Sequence, residues 1–294
     1  MIGPPGSGKT MLARRMSGVL PEMTEEESLE VTQIHSVAGL LGDHGEMVRT
    51  RPFRMPHHHI TAAALVGGGS GLARPGEITL AHHGVLFLDE LTLYRTGVLE
   101  NLRGPLEDRR IRIARSGGVV TYPCRFSLVG AMNPCACGYF ADATKTCRCS
   151  FQQLQIYKSR VSGPLLDRFD MQVLMTRLTS EELLGPAGGE SSEVVRSRVK
   201  DARRVQAKRF RSSLVTNASA ARSRLERSVR LSAEARLYLS SSVESLEISG
   251  RGLDRVLRVS RTIADLDGSD QVLADHIGLA LGFRPEDIYA EVAA

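Results

Sequence analysis

One string near the start constrains this chain more than any other: Gly3-Pro4-Pro5-Gly6-Ser7-Gly8-Lys9-Thr10. It fits the pattern GxxxxGK[ST]. Its glycines let backbone N–H groups wrap phosphate oxygens, and a following helix points its positive end at them. A helix pattern does follow, from Met11 to Leu20. Lys9 is expected to reach the β- and γ-phosphates of bound ATP, and the Thr10 hydroxyl to bind magnesium.

A second string completes the first. Val85-Leu86-Phe87-Leu88-Asp89-Glu90 is an apolar run ending in two carboxylates. As a buried strand it sets Asp89 at the C-terminal edge of a parallel sheet, where open α/β sheets bind ligands. Asp89 is expected to hold magnesium and Glu90 to activate the attacking water. A strand that merely ends in an exposed acidic turn is the plainer reading of this string taken alone. Phe126 to Ala131 reads as another strand, followed by Asn133, whose amide suits holding a water in line. An Asn-Pro turn is the alternative there. Leu99 to Leu106 predicts a helical turn or two ended near Pro105, and Arg110 to Tyr122 a hairpin about Ser116-Gly117-Gly118.

Pro186-Ala187-Gly188-Gly189 marks a loop, after which the character changes. Helical patterns run over Val194–Phe210, Ser232–Ser242, Arg251–Leu266 and Gln271–Leu281, with Val195, Val199 and Val205 facing inward in the first. The expected fold is α/β, a P-loop NTPase core with a parallel sheet over residues 1–176, followed by a small helical lid domain over 177–294. Hydrophobic residues at 42% and charged residues at 24% are ordinary for a globular chain with a sizeable core. No apolar run approaches the roughly 18 residues that span a membrane, and no secretory signal is visible, so the cytoplasm is the expected compartment. A net charge of +5 leans mildly towards acidic partners.

The strings GPPGSGKTMLARR, AALVGGGS, RPGEITLAHHGVLFLDEL, AMNPCACGY, SGPLLDRFD and RTIADL, in this order, resemble the magnesium-chelatase-like AAA+ family and its ComM/YifB branch. The resemblance implies an ATPase motor assembled as a hexameric ring, with DNA, single-stranded or branched, as its partner. It implies that Arg168 is an arginine finger reaching a neighbour's ATP, with Arg160 a second candidate, and that Arg251 is the sensor-2 arginine, with Arg255 one turn later an alternative. It also implies that Arg49, Arg51 and Arg54, and the hairpin's Arg109, Arg110, Arg112 and Arg115, line a central pore. Solvated surface charge is the alternative for these arginines. The rival activity within the same fold is an ATPase subunit driving magnesium insertion into a porphyrin; the third reading is an inactive nucleotide-binding fragment.

Cys135, Cys137, Cys147 and Cys149 form two CxC pairs around an insertion at 134–150, able to supply four thiolates to one structural zinc ion. The resembling family carries paired cysteines here. Reduced, redox-sensitive thiols are the alternative. Cys124 is expected in the core. His57-His58-His59 is read as a loop facing the pore rather than a metal site, because neighbours on an extended chain point opposite ways; His82 and His83 are read as structural. The phosphate loop begins at Gly3, so Met1 and Ile2 alone represent the strand leading into it. That strand belongs mid-sheet, and the family carries an upstream protease-like domain. The expectation is therefore a fragment or a late start, poorly soluble and nearly inactive by itself.

Overall fold

The computed structural model describes all residues except 43–44, 70–72, 116–117, 143, 186–187 and 285–294. Ser116 and Gly117 of the expected turn, and Pro186 and Ala187 of the expected boundary loop, lie outside the described residues. Two compact units are present among the described residues: Met1–Phe169 with Val173–Gly189, and Asp170–Gln172 with residues 190–284.

The first unit is built on a parallel sheet in which Val85–Leu88 lies between Phe53–Arg54 and Ser127–Gly130. All four residues of Val85–Leu88 are buried, as a strand covered on both faces requires. The line of strands continues through Ile2, which bridges Met132 on one side and Leu174 on the other, both in parallel. The Ile2 N–H donates to Val173 O at 2.9 Å and the Ile2 carbonyl accepts from Met175 N at 2.7 Å. On the opposite side Met132 N donates to Met1 O at 3.0 Å. Ile2 thus takes the mid-sheet place that the sequence assigns to the segment before the phosphate loop, with its backbone groups paired.

A two-stranded hairpin, Arg110–Arg115 with Gly118–Pro123, flanks this sheet. Its alternation sorts the side chains. Ile111, Ile113 and Tyr122 join the main core, while Arg110, Arg112 and Arg115 are exposed. Ahead of it lie two short helices, Thr96–Glu100 and Arg103–Asp108. Pro105 falls in the first turn of the second and does not end it. A first-turn N–H has no intrahelical partner to lose, so proline is tolerated there. Termination comes instead at Arg109, in the left-handed region at φ 55°.

The second unit is helical. Its long helices are Ser192–Phe210, Ala233–Ser245, Gly250–Leu266 and Ala274–Gly282. Val256, Val259, Ala264, Ile277 and Ala280 form its core, with Leu253, Leu257 and Ile263 packed against them. In Ser192–Phe210 the buried face is Ala202, Gln206 and Phe210, and Val205 is exposed, not inward. Val195 and Val199 are half-buried on the same stripe, which Val205 leaves by one residue. A buried charge, invisible to apolar patterning, sits in Gly250–Leu266: Arg261 is fully covered and pairs with Asp265 at 2.9 Å, which also binds Arg209.

Candidate nucleotide site

The loop 3–10 turns tightly because Gly6 and Gly8 take φ values of 82° and 81°, the left-handed region glycine enters freely. Gly3 has a second reason to be glycine: a Cβ there would lie 2.3 Å from Met175 O. The helix Lys9–Val19 starts directly after Gly8, so its free N–H groups face the loop.

Lys9 is buried, and its Nζ donates to Gly3 O (2.7 Å), Pro4 O (2.8 Å), Ser7 Oγ (3.3 Å) and Asn133 Oδ1 (3.3 Å). Burial lowers its pKa, and the nearby Asp89 charge opposes that. Thr10 Oγ1 donates to Asp89 Oδ2 at 2.6 Å, and the Glu90 N–H donates to Asp89 Oδ1 at 2.9 Å. The fold therefore collects Lys9, Thr10, Asp89 and Asn133, drawn from three separate stretches of sequence, with Glu90 adjoining. A hydroxyl and a carboxylate side by side are oxygen donors suited to a small hard cation such as magnesium. Glu90 takes φ 50°, uncommon for a residue with a side chain, and its carboxylate is largely exposed.

Several residues of this neighbourhood carry no signal in the sequence. His58 Nδ1 lies 3.3 Å from Glu90 Oε2. Tyr157 OH donates to Asn133 O at 3.1 Å and accepts from Thr92 Oγ1 at 2.9 Å. Local spacing cannot reveal these pairings, since they join distant segments.

The four cysteines converge. Sγ of Cys135 lies 3.3 Å from that of Cys137 and 3.7 Å from that of Cys147, and Cys137 to Cys147 is 3.6 Å. All four sulfurs lie within 4.8 Å of one another. A tetrahedron with Zn–S bonds of about 2.3 Å has S···S edges of about 3.8 Å. The donor set and its spacing therefore fit zinc. Partial burial opposes ionisation of Cys137, but backbone N–H groups of Arg148 and Tyr139 outweigh it and bring its pKa down to about 6. Cys124 is buried apart from this group, as expected.

Other expected residues lie elsewhere. Arg168 forms an ion pair with Glu107 and donates to Pro164 O at 2.7 Å, so its observed partners are not loop residues. Arg251 is exposed in the first turn of its helix in the second unit, and Arg255 is buried in that same helix. Two of the arginines expected to line a pore are committed internally. Arg51 is bound by Glu27 at 2.8 Å, Pro21 O and His83 O (2.8 Å). Arg54 makes a two-pronged pair with Glu77 at 2.6 and 2.7 Å. Sequence spacing shows a positive charge but not a carboxylate brought to it by the fold. Arg49 is exposed.

The histidines also depart from the reading by alternation. His57–Ile60 is a turn closed by Ile60 N to His57 O at 2.9 Å, not an extended segment. The rings of His57, His58 and His59 therefore lie beside one another, with centroids 4.1, 4.4 and 5.2 Å apart. His82 and His83 both meet Glu30 Oε2, at 2.9 and 2.7 Å. The Arg125 N–H donates to His82 Nδ1 at 3.0 Å, which leaves the ring proton on Nε2, facing Glu30 at 2.9 Å. A metal at that nitrogen would have to displace the proton, so Glu30, His82 and His83 form a hydrogen-bonded clamp. Burial lowers the His82 pKa to about 4, against the pull of Glu30.

A glycine-rich loop before a helix, a parallel sheet ordered around it and a Thr–Asp pair at its edge define an AAA+ P-loop NTPase core. Residues 1–183 match the family described as magnesium chelatase, subunit ChlI, and residues 189–284 match its C-terminal region; the chain belongs to the magnesium chelatase ChlI family. It is 48% identical over 97% of its length to an uncharacterized protein of Mycobacterium tuberculosis, covering 56% of that protein. It is 42% identical over 96% of its length to competence protein ComM of Haemophilus influenzae, covering 54% of it. Against the uncharacterized protein YifB of Escherichia coli the identity is 41% over 98% of the chain and 56% of the relative. The chain thus spans about half the length of the curated relatives it matches. No helix among the described residues is long and apolar enough to cross a membrane. Family membership supports ATPase activity and the use of nucleotide with magnesium.

Proposed function

We propose that this chain is the motor part of an ATP-driven DNA-remodelling protein that works as a ring, with a hexamer as the assembly to test. The observation that carries the ATPase reading is the gathering of Lys9, Thr10, Asp89 and Asn133 at one sheet edge with Glu90 beside them. Lys9 neutralises phosphate charge. Thr10 and Asp89 are the residues to hold magnesium, which when bound neutralises charge on the β- and γ-oxygens. Glu90 accepts a proton from the attacking water while the Asn133 amide orients it. Arg168 of a neighbouring subunit, released from Glu107, stabilises charge on the transferring phosphoryl group, and Arg251 serves as the sensor on the helical unit.

The DNA assignment rests on the exposed Arg110, Arg112 and Arg115 of the hairpin, whose other face is anchored in the core, and on a relative named a competence protein. Positive side chains on a rigid ribbon suit a phosphate backbone. Branch migration or helicase action during recombination of incoming DNA is the activity we assign. The family's description favours a second reading, a subunit driving magnesium chelation into a porphyrin. A structural zinc on Cys135, Cys137, Cys147 and Cys149 completes the proposal, supported by the sulfur spacing. The deciding experiment measures ATPase rate with and without single-stranded and branched DNA, and with porphyrin. Stimulation by DNA alone is expected; stimulation by porphyrin and indifference to DNA would move the assignment to chelation.

A further inference from the structure

The cysteine insertion and the nucleotide pocket are built as one object. Cys135 follows Asn133 by two residues and is fully buried. Its carbonyl accepts from Gly138 N at 3.0 Å, closing a turn that holds Gly138 at φ 85°. That turn presses directly on the phosphate loop: a Cβ on Gly138 would lie 2.8 and 2.9 Å from Pro5 Cδ and Cγ, and 4.0 Å from Asn133 Cγ.

The second cysteine pair reaches the same residue from the other direction. Cys149 precedes Ser150, which caps the helix Phe151–Lys158 in a reciprocal capping box with Gln153. That helix carries Tyr157, whose hydroxyl donates to Asn133 O. A metal ion joining the two pairs therefore closes a ring: Asn133, Cys135, the metal, Cys149, the helix, Tyr157 and Asn133 again. The described residues between Cys135 and Cys149 form no helix or strand, so without the cross-link the two cysteine pairs are joined only through a long loop.

We infer that the four-cysteine zinc is a positioning device for the ATP site, fixing Asn133 and bracing Pro5 of the phosphate loop, so that nucleotide affinity depends on the metal. This inference rests on the zinc reading of the cysteines. The cysteines act through the Gly138 turn and the Tyr157 helix.

The experiment pairs metal analysis with binding of a fluorescent ATP analogue at constant excess magnesium. The protein as purified is expected to hold one zinc per chain. Removing it with a zinc-selective chelator at a temperature below the melt should weaken nucleotide binding by about tenfold, the worth of roughly one hydrogen bond at the loop, and restoring zinc should restore it. Gly138→Ala tests the mechanical link separately, since it leaves all four thiolates in place. It should keep its zinc yet weaken nucleotide binding, because the new methyl group meets Pro5 and the left-handed φ of 85° strains the same turn once a side chain is present. Protein with no zinc and four freely titrating thiols would overturn the metal reading itself. Zinc bound, but removable without change in affinity, would overturn only the coupling. A Gly138→Ala variant that binds both zinc and nucleotide as the parent does would overturn the route through Pro5.

Discussion

At the scale of single residues, the nucleotide site separates binding from chemistry. Lys9 is held inside the loop by three loop groups and Asn133, whereas Glu90 stands exposed beyond Asp89. Lys9→Ala is therefore expected to abolish nucleotide binding. Glu90→Gln should bind ATP normally and lose about 10²–10⁴-fold in turnover, the usual worth of a general base. Equilibrium binding and steady-state hydrolysis on the two variants check this; wild-type turnover by Glu90→Gln would remove the base from Glu90. His82 supplies a pH prediction. Its folded pKa is lowered from 6.5 to about 4 by burial, with Glu30 opposing and His83 and Arg125 assisting. Between these values the unfolded chain binds the extra proton, so the contribution to stability is complete above 6.5 and is lost as pH falls towards 4. The neighbouring Glu30 carboxyl is also depressed: burial resists this, but hydrogen bonds from His82 and His83 outweigh it, so acid acts there in the same direction. The thermal midpoint should fall on going from about pH 7 to about pH 5, and His82→Gln should flatten that slope.

At the scale of elements, the hairpin is where charge is displayed and the segment around Arg51 is where it is consumed. Replacing Arg110 and Arg112 with Glu should weaken DNA binding across all sequences and reduce its salt dependence, by about one unit of slope for each phosphate no longer neutralised. Titrations at several salt concentrations read both quantities; unchanged slope would return these side chains to ordinary surface. Much of this level was legible beforehand. Val85–Leu88, the hairpin and the long helices follow from periodicity and turn chemistry, which are local. The glycine loop and the carboxylate-ended strand carry their chemistry in adjacent residues. What stayed illegible is non-local: Glu27 meeting Arg51, Glu107 meeting Arg168, Tyr157 meeting Asn133 and Gly138 meeting Pro5. Pro105 and Val205 depart from expectation for a different reason. Pro105 falls in the first turn of a helix, where it is tolerated, and Val205 lies one residue off the buried stripe of its helix.

At the scale of the whole molecule, the partner that Arg168 takes matters most. Arg168 is paired with Glu107 within its own chain, and the proposed function asks it to serve the ATP of a neighbour. Subunits carrying Arg168→Ala and subunits carrying Lys9→Ala should each be inactive alone. Mixed, they should recover part of the activity, because some interfaces then join an intact loop to an intact arginine. Gel filtration with light scattering during turnover supplies the assembly state. A monomer with full activity, or mixtures that stay inactive although they co-assemble, would exclude catalysis shared across a ring.

The left-handed backbone at Glu90 has a consequence for how such a protein changes over generations. That conformation costs a residue with a side chain about 1–2 kcal/mol, which glycine does not incur. Glycine's looser unfolded chain offsets about 0.4–1 kcal/mol of the relief. Glu90→Gly should therefore be at least as resistant to denaturant as the parent, while hydrolysing no ATP; a lowered denaturation midpoint would refute this. Selection for durability alone would drift towards the inert protein at this position. Only a screen that rewards turnover can keep the glutamate.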